Sequence, residues 1–250
     1  MSPTTPELRW LAFDTSTDVL SLAVARGERV WVQTLPGGAQ SSSGLIPAVL
    51  AMLAEADMPL ASLTAIVFGR GPGSFTGLRT ACAVAQGLAF GADIPVLPVD
   101  TLLAVAEEAR WQHVQGGAAD ADLSVLAMLD ARMDEVYSAA YQWSLANQSW
   151  QGVSALQVSA PENVQSSASV LAGNVFEAYG ARLTLLGDRC QALPTAAALL
   201  RLAPVLWAQG LAVPADQAMP LYIRDKVANT TAEREAMKAQ AAQAKAAENP

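Results

Sequence analysis

The chain of 250 residues contains one histidine, His113, and two cysteines, Cys82 and Cys190. A single imidazole cannot supply the paired histidines, one helical turn apart, that hold a catalytic zinc, nor serve as ligand and base at once. No HExxH segment occurs, and the cysteines lie far apart without CxxC spacing. The sequence alone leaves a disulfide open. Met1 to Glu7 lacks the basic region and apolar run of a secretory signal, so reduced thiols in the cytoplasm are expected. No apolar run reaches the roughly 18 residues of a membrane helix. No catalytic residue, metal site or cofactor of its own is expected.

Positive charge is also scarce. Fifteen Lys and Arg stand against 23 Asp and Glu, for a net charge of −8 and a pI near 4.6. A protein that grips RNA unaided draws much of its affinity from phosphate neutralisation by a basic stripe, and these fifteen residues are scattered. RNA, if involved, is expected to be held by another subunit. What the chain has is apolar material: 52% hydrophobic against 15% charged residues, enough for a large core and for some surface that a partner covers.

Three short strand-type runs open the chain: Trp10 to Phe13, Val19 to Ala25 and Arg29 to Leu35, joined by the polar turn Asp14-Thr15-Ser16-Thr17 and by Arg26-Gly27-Glu28. They predict an antiparallel meander. Leu45, Val49, Met52 and Leu53 then recur at helical spacing, with Pro47 tolerated in the first turn and Ser41-Ser42-Ser43 placed to cap it. Strands are expected at Thr64 to Phe68 and Pro95 to Val99, helices at Thr76 to Phe90 and Thr101 to Trp111. Alternation of this kind implies right-handed crossovers and a partly parallel sheet.

Gln115 to Asp122 reads as a link to a second unit containing strands at Ser124 to Asp130, Glu135 to Trp143 and Val170 to Gly173. Leu183 to Leu186 continues the mixed pattern, and a helix is expected from Thr195 to Gln209. The expected division is an N-terminal lobe at 1–112, a C-terminal lobe at 113–228 and a helical or flexible tail at 229–250, rich in Ala, Glu, Lys and Gln.

The most informative stretch is the loop Gly71-Pro72-Gly73-Ser74-Phe75-Thr76-Gly77-Leu78-Arg79, which follows a buried strand. Glycines there permit a tight turn and close backbone approach, and Ser74 or Thr76 can cap the next helix. It is neither a P-loop nor GxGxxG. Two uses remain open on the residues alone: a strand-to-helix turn, or an anion site at the helix start.

The string GPGSFTGLR resembles the signature of the TsaB (YeaZ) family. Five further segments match that family in order. They are Phe13 to Thr17, Leu45-Ile46-Pro47, Val99 to Leu102, Leu129 to Tyr137 and Pro220 to Arg224, and the whole series spans about residues 9 to 226. The resemblance implies an α/β chain of two related lobes in an actin-like ATPase (ribonuclease H-like) fold. It implies a scaffold and activator that pairs with the catalytic subunit TsaD and the ATPase TsaE in tRNA threonylcarbamoyladenosine formation, reaching tRNA only through the complex. It places the partner interface on the first two helices, here Leu45, Val49, Met52, Leu53, Thr76, Arg79, Ala83 and Gly87. Because an exposed apolar patch rarely stays uncovered, a homodimer through the same surface is a further expectation when the chain is alone.

The residues agree with a supporting role. Actin-like ATPases carry Asp-x-Gly-Thr in the first turn, where this chain has Asp14-Thr15-Ser16-Thr17, and Asp130-Ala131-Arg132 has no glycine for a second phosphate loop. Asp14 is therefore expected to be a structural turn former. Relatives often show His-Ser-Glu where Ser41-Ser42-Ser43 stands. Two other functions compete: a metallopeptidase of the glycoprotease class, needing a metal or an activated nucleophile, and a self-sufficient kinase or ATPase of the same fold.

Overall fold

The computed structural model describes residues 7–224; the expected tail at 229–250 lies outside them. The meander forms as β1 (Arg9–Asp14), β2 (Val19–Arg26) and β3 (Arg29–Pro36), followed by α1 (Ser41–Glu55), β4 (Ala65–Gly71), α2 (Phe75–Ala92), β5 (Val96–Asp100) and α3 (Thr101–Gln115). The second unit runs β6 (Leu123–Arg132), β7 (Glu135–Ser144), β8 (Ser149–Gly152), β9 (Gln157–Ser159), β10 (Val170–Gly173), α4 (Phe176–Tyr179), β11 (Asp188–Gln191) and α5 (Ala196–Ala208).

Both sheets share one topology. The first is ordered β3-β2-β1-β4-β5, and the second is ordered β8-β7-β6-β10-β11, with β9 pairing outside that path on β7. In each, an antiparallel meander continues through its first strand into parallel partners: β1 with β4, and β6 with β10. The fold is mixed α/β, built twice.

Side chains alternate across each sheet, as a period of two requires. Leu11, Phe13, Leu20, Leu22 and Val24 face α1 and α2, while Trp10, Ala12, Ala23 and Ala25 on the same strands face α5. On the second sheet Val125, Ala127 and Leu129 pack under α3, and Leu126 and Met128 under Tyr179 and Leu183. Helices α3 and α5 thus lie together between the sheets. The segment from α5 onward returns to the first sheet: Val213 bridges Val96, and Leu221 N–H donates to the Arg70 carbonyl at 2.7 Å. Helix α5, which the sequence places in the C-terminal lobe, is thus buried by the strands of the first sheet.

Three local expectations are corrected. Leu183 to Leu186 forms no strand; Leu183 plugs the core while Leu186 is 89% exposed, and the ladder forms at β11 instead. Ser41-Ser42-Ser43 does not cap α1 but makes up its first turn: Ser42 and Ser43 hydroxyls donate back to the Ala39 and Gln40 carbonyls, and Ser41 is buried. Leu45, Val49, Met52 and Leu53 are sealed inside the chain's own core against the first sheet, so they are not surface for a partner.

The turn after β1 holds a buried acid. Asp14 Oδ1 accepts from the Ser16 N–H at 2.8 Å and the Ser16 hydroxyl at 2.6 Å. Oδ2 has no hydrogen bond of ordinary geometry, although the Thr101 hydroxyl lies near enough to pull weakly on it. Burial dominates and pushes the Asp14 pKa up to about 6 against those hydrogen bonds. Gly69 leaves the room: a Cβ there would stand 1.8 Å from Oδ2.

Two predictions follow from this packing. Leu45→Ala should lower unfolding free energy by about 2–5 kcal/mol, the range for emptying a sealed leucine site, as read by urea denaturation. Asp14 binds its proton more tightly folded than unfolded, so its charge costs stability above pH 6, and that cost fades as pH falls towards 4. Asp14→Asn should thus be more stable than the parent at pH 7 by on the order of 2–3 kcal/mol, with the gap closing between pH 6 and 4 in parallel melts.

Candidate functional site

The GPGSFTGLR loop is fastened to the first turn. Ser74 N–H donates to the Ser16 carbonyl at 2.7 Å, and the Thr15 hydroxyl donates to the Gly77 carbonyl at 2.7 Å. A Cβ on Gly77 would stand 1.8 Å from the Thr15 carbonyl oxygen, and one on Gly73 would be 2.5 Å from Ser16 Cβ. The glycines let two backbones touch. Gly71 and Pro72 are joined by a cis peptide and are both buried. Ser74 caps α2, its hydroxyl accepting from Gly77 N–H at 3.4 Å, as one of the two capping expectations had it.

With its start fixed, α2 buries Leu78, Ala81, Cys82, Ala85 and Ala89 against the sheet. The opposite face is a stripe of Thr76, Arg79, Ala83, Gly87, Phe90 and Gly91, spaced by three, four or one residues, with all six exposed or nearly so. Phe90 is 82% exposed. A Cβ at Gly87 or Gly91 would meet nothing within 4 Å. Beside it α1 presents Ile46, 43% exposed, and Leu50, 54% exposed, one helical turn apart. A shallow groove lined by Ser42, Phe75, Thr76, Arg79 and Ala83 runs along this face.

Of the eight interface residues expected from the sequence, Thr76, Arg79, Ala83 and Gly87 are on this face and the four on α1 are not. The α1 residues in their place are Ile46 and Leu50. They sit at an i, i+4 spacing offset by one from the buried set, so a helix apolar on both sides carried the signal.

Arg79 is engaged within the chain. Its guanidinium stacks 3.8 Å over the Phe75 ring and Nε donates to the Tyr222 hydroxyl at 3.2 Å, while Phe75 and Tyr222 pack ring to ring at 5.3 Å. Further along, the Ala218 carbonyl accepts from Gln86 Nε2 at 2.8 Å. The segment from Ala218 to Tyr222 is thereby strapped along α2, with Met219 exposed within it.

A separate cleft of about 490 Å³ opens between the motif loop and the β6–β7 turn, lined by Ser16, Asp18, Ser74, Asp130, Arg132 and Arg224 among others. Its charges are spent on one another. Arg132 pairs across the lobes with Asp18 at 2.6 Å and locally with Asp130 at 3.1 Å. Arg224 pairs with Glu135, and Tyr179 donates to Asp130 at 2.9 Å. Arg132, Met133 and Asp134 all have positive φ, so this turn is held in the left-handed region by its neighbours. His113 lines a different hollow, near Asp188 and Cys190. No helix of the described residues is long and apolar enough to cross a membrane.

Comparison with known proteins bears on this architecture. The model of the family TsaD, tRNA N6-adenosine threonylcarbamoyltransferase, matches residues 36–171, just over half of the chain. The tRNA threonylcarbamoyladenosine biosynthesis protein TsaB of Haemophilus influenzae is 35% identical over 233 residues, covering 88% of this chain and 95% of the relative. The Escherichia coli TsaB is 36% identical, covering 88% and 96%. The solved structure of YeaZ from Pseudomonas aeruginosa superposes with a TM-score of 0.77 at 36% identity, over 86% of this chain and 99% of that one. A second Pseudomonas aeruginosa structure, described as similar to the peptidase YeaZ, gives the same TM-score. With matches of this identity running through both lobes, the chain belongs to the TsaB (YeaZ) family of tRNA threonylcarbamoyladenosine biosynthesis proteins and has its actin-like two-lobed fold.

Proposed function

We propose that this chain is the non-catalytic scaffold and activator of a cytoplasmic tRNA threonylcarbamoyladenosine complex. It pairs through the exposed face of α1 and α2 with a TsaD-type catalytic subunit, is joined by a TsaE-type ATPase, and meets tRNA only through that assembly. The observation that carries this is the apolar stripe Ala83-Gly87-Phe90-Gly91 beside Ile46 and Leu50. Small residues let a second helix approach closely, while the exposed Phe90, Ile46 and Leu50 supply apolar area for it to cover.

The rigid mounting supports the same reading. Ser74, Gly77 and the Arg79–Tyr222 contact fix α2 at its start and along its length. A surface held in this way binds without first paying an ordering cost. The supporting role also fits the cleft, where the cationic groups that would meet phosphate are paired with Asp18, Asp130 and Glu135. The loop glycines are used for backbone contact with Thr15 and Ser16. The peptidase description attached to one relative needs a nucleophile with its base, and His113 lies outside this cleft. When no sister subunit is present, the same face serves a second copy of the chain.

Co-purification with the cognate TsaD-type subunit followed by tRNA modification in vitro tests the proposal. Omitting this chain should abolish modification, and the chain alone should transfer nothing; transfer by the chain alone would refute the scaffold role. Ala83→Trp and Gly87→Trp should each weaken pairing at least tenfold, or about 1.4 kcal/mol. Their melting temperatures should stay unchanged, since a Cβ at Gly87 meets no atom within 4 Å. Both should also reduce self-association in analytical ultracentrifugation. Tyr222→Ala should free the strap and speed hydrogen exchange at the Leu221 amide.

A further inference from the structure

On the side of the first sheet away from α1 and α2, a cavity of about 270 Å³ lies between α3, α5 and the β7–β8 hairpin. Leu103, Leu202 and Leu206 give it an apolar floor; Trp143 and Trp150 form a wall, with ring centroids 5.4 Å apart; Arg201 sits at the edge. The wall is pinned by Glu107, a fully buried carboxylate. Its Oε2 accepts from Trp150 Nε1 at 3.0 Å and from Arg110 Nε at 3.0 Å. Its Oε1 accepts from Arg110 Nη2 at 3.2 Å and Arg201 Nε at 2.8 Å. The Arg110 guanidinium lies 4.2 Å over the Trp143 ring.

Close packing of aliphatic side chains would be the simpler way to fill such a place, since a buried ion network seldom adds stability over apolar packing. Here the network instead pins Trp150, which packs against the leucine cluster, and a cavity remains beside it. Two donors have no acceptor among the described residues. Trp143 Nε1 is buried and unpartnered. Arg201 uses Nε on Glu107 and Nη2 on Glu108, and its Nη1 makes no hydrogen bond. A buried donor such as Trp143 Nε1 is seldom left without an acceptor, whereas Arg201 Nη1 is a free donor at the partly exposed edge of the cavity.

Charge narrows the choice of ligand. The two guanidinium groups, Arg110 and Arg201, face three carboxylates, Glu107, Glu108 and Asp120. The surroundings are already net negative, so a further anion is disfavoured even though arginine is present. The volume lies just under the roughly 300–1,000 Å³ of drug-sized sites, which suits one fused aromatic ring with a short arm. Aromatic walls favour a planar body.

We propose that this cavity is a binding site for a small, uncharged, planar molecule that carries a hydrogen-bond acceptor. The inference is independent of the partner surface, because the cavity and the α1–α2 face lie on opposite sides of the first sheet. The probes are naphthalene-1-acetamide and naphthalene-1-acetate, which share a ring system and differ in charge. Tryptophan indole N–H resonances provide the readout, assigned with Trp143→Phe and Trp150→Phe. The amide should shift the Trp143 and Trp150 signals saturably and leave Trp31 unmoved, and the acetate should bind at least tenfold more weakly. Val205→Trp and, at the exposed rim, Gln209→Trp should abolish the shifts while leaving pairing with the TsaD-type subunit intact. No shift at Trp143 or Trp150 through the millimolar range would overturn the site, as would undiminished binding in both plugged variants. Equal binding of amide and acetate would overturn the assignment to an uncharged ligand.

Discussion

The exposed face of α2 depends on one close clasp between two loops. The loop entering α2 lies directly on the turn leaving β1, joined by Ser74 N–H to the Ser16 carbonyl and by the Thr15 hydroxyl to the Gly77 carbonyl. Only residues without side chains tolerate that proximity at Gly73 and Gly77. The clasp sets where α2 begins and how it is rotated about its axis. Rotation decides which residues sink into the sheet and which remain as the stripe from Thr76 to Gly91. A loop whose glycines suggest phosphate chemistry is thus engaged in positioning a helix.

The same economy governs the charged residues. Two lobes of one topology meet around α3 and α5, and the carboxylates at that junction are paired internally. Glu107 accepts four hydrogen bonds from Arg110, Trp150 and Arg201 between the sheets. In the cleft, Arg132 ties Asp18 of the first turn to the β6–β7 turn, and Arg224 ties the end of the described chain to Glu135. An exposed pair such as Arg132–Asp18 contributes little stability. The effect of these ties is directional: they hold a left-handed turn and a terminal segment in place, so that both lobes present fixed surfaces.

Legibility in the sequence followed burial. The meander, β5, β6, β7 and β10 were read to within two residues, because long apolar or alternating runs leave few other places to fold, while β4 runs three glycine-rich residues past its expected end at Phe68. The strands β8, β9 and β11 were not read. Ser149–Gly152, Gln157–Ser159 and Asp188–Gln191 are short, polar and half exposed, and they are strands only because β7 or β10 offers unpaired backbone. Leu183 to Leu186 looked more strand-like than β11 and is not one, since a local propensity without a neighbouring edge has no ladder to join. Of the residues expected at the surface of the first two helices, those on α2 are exposed and those on α1 are not. Leu45, Val49, Met52 and Leu53 form the stronger stripe and therefore went inward.

By itself the sequence determined the class of the fold, the family and the scarcity of groups for metal or phosphate chemistry, because composition, motif spacing and hydrophobic period are properties of the chain alone. Tertiary structure decided which of two apolar faces of α1 is buried, that α5 returns to the first sheet, and that Trp143 and Trp150 enclose a cavity with Glu107. These depend on which surfaces compete for the same apolar area and on contacts between residues far apart in the chain, such as Glu107 with Arg201. A periodic pattern shows that a face is apolar; only the assembled core shows which apolar face has been left outside.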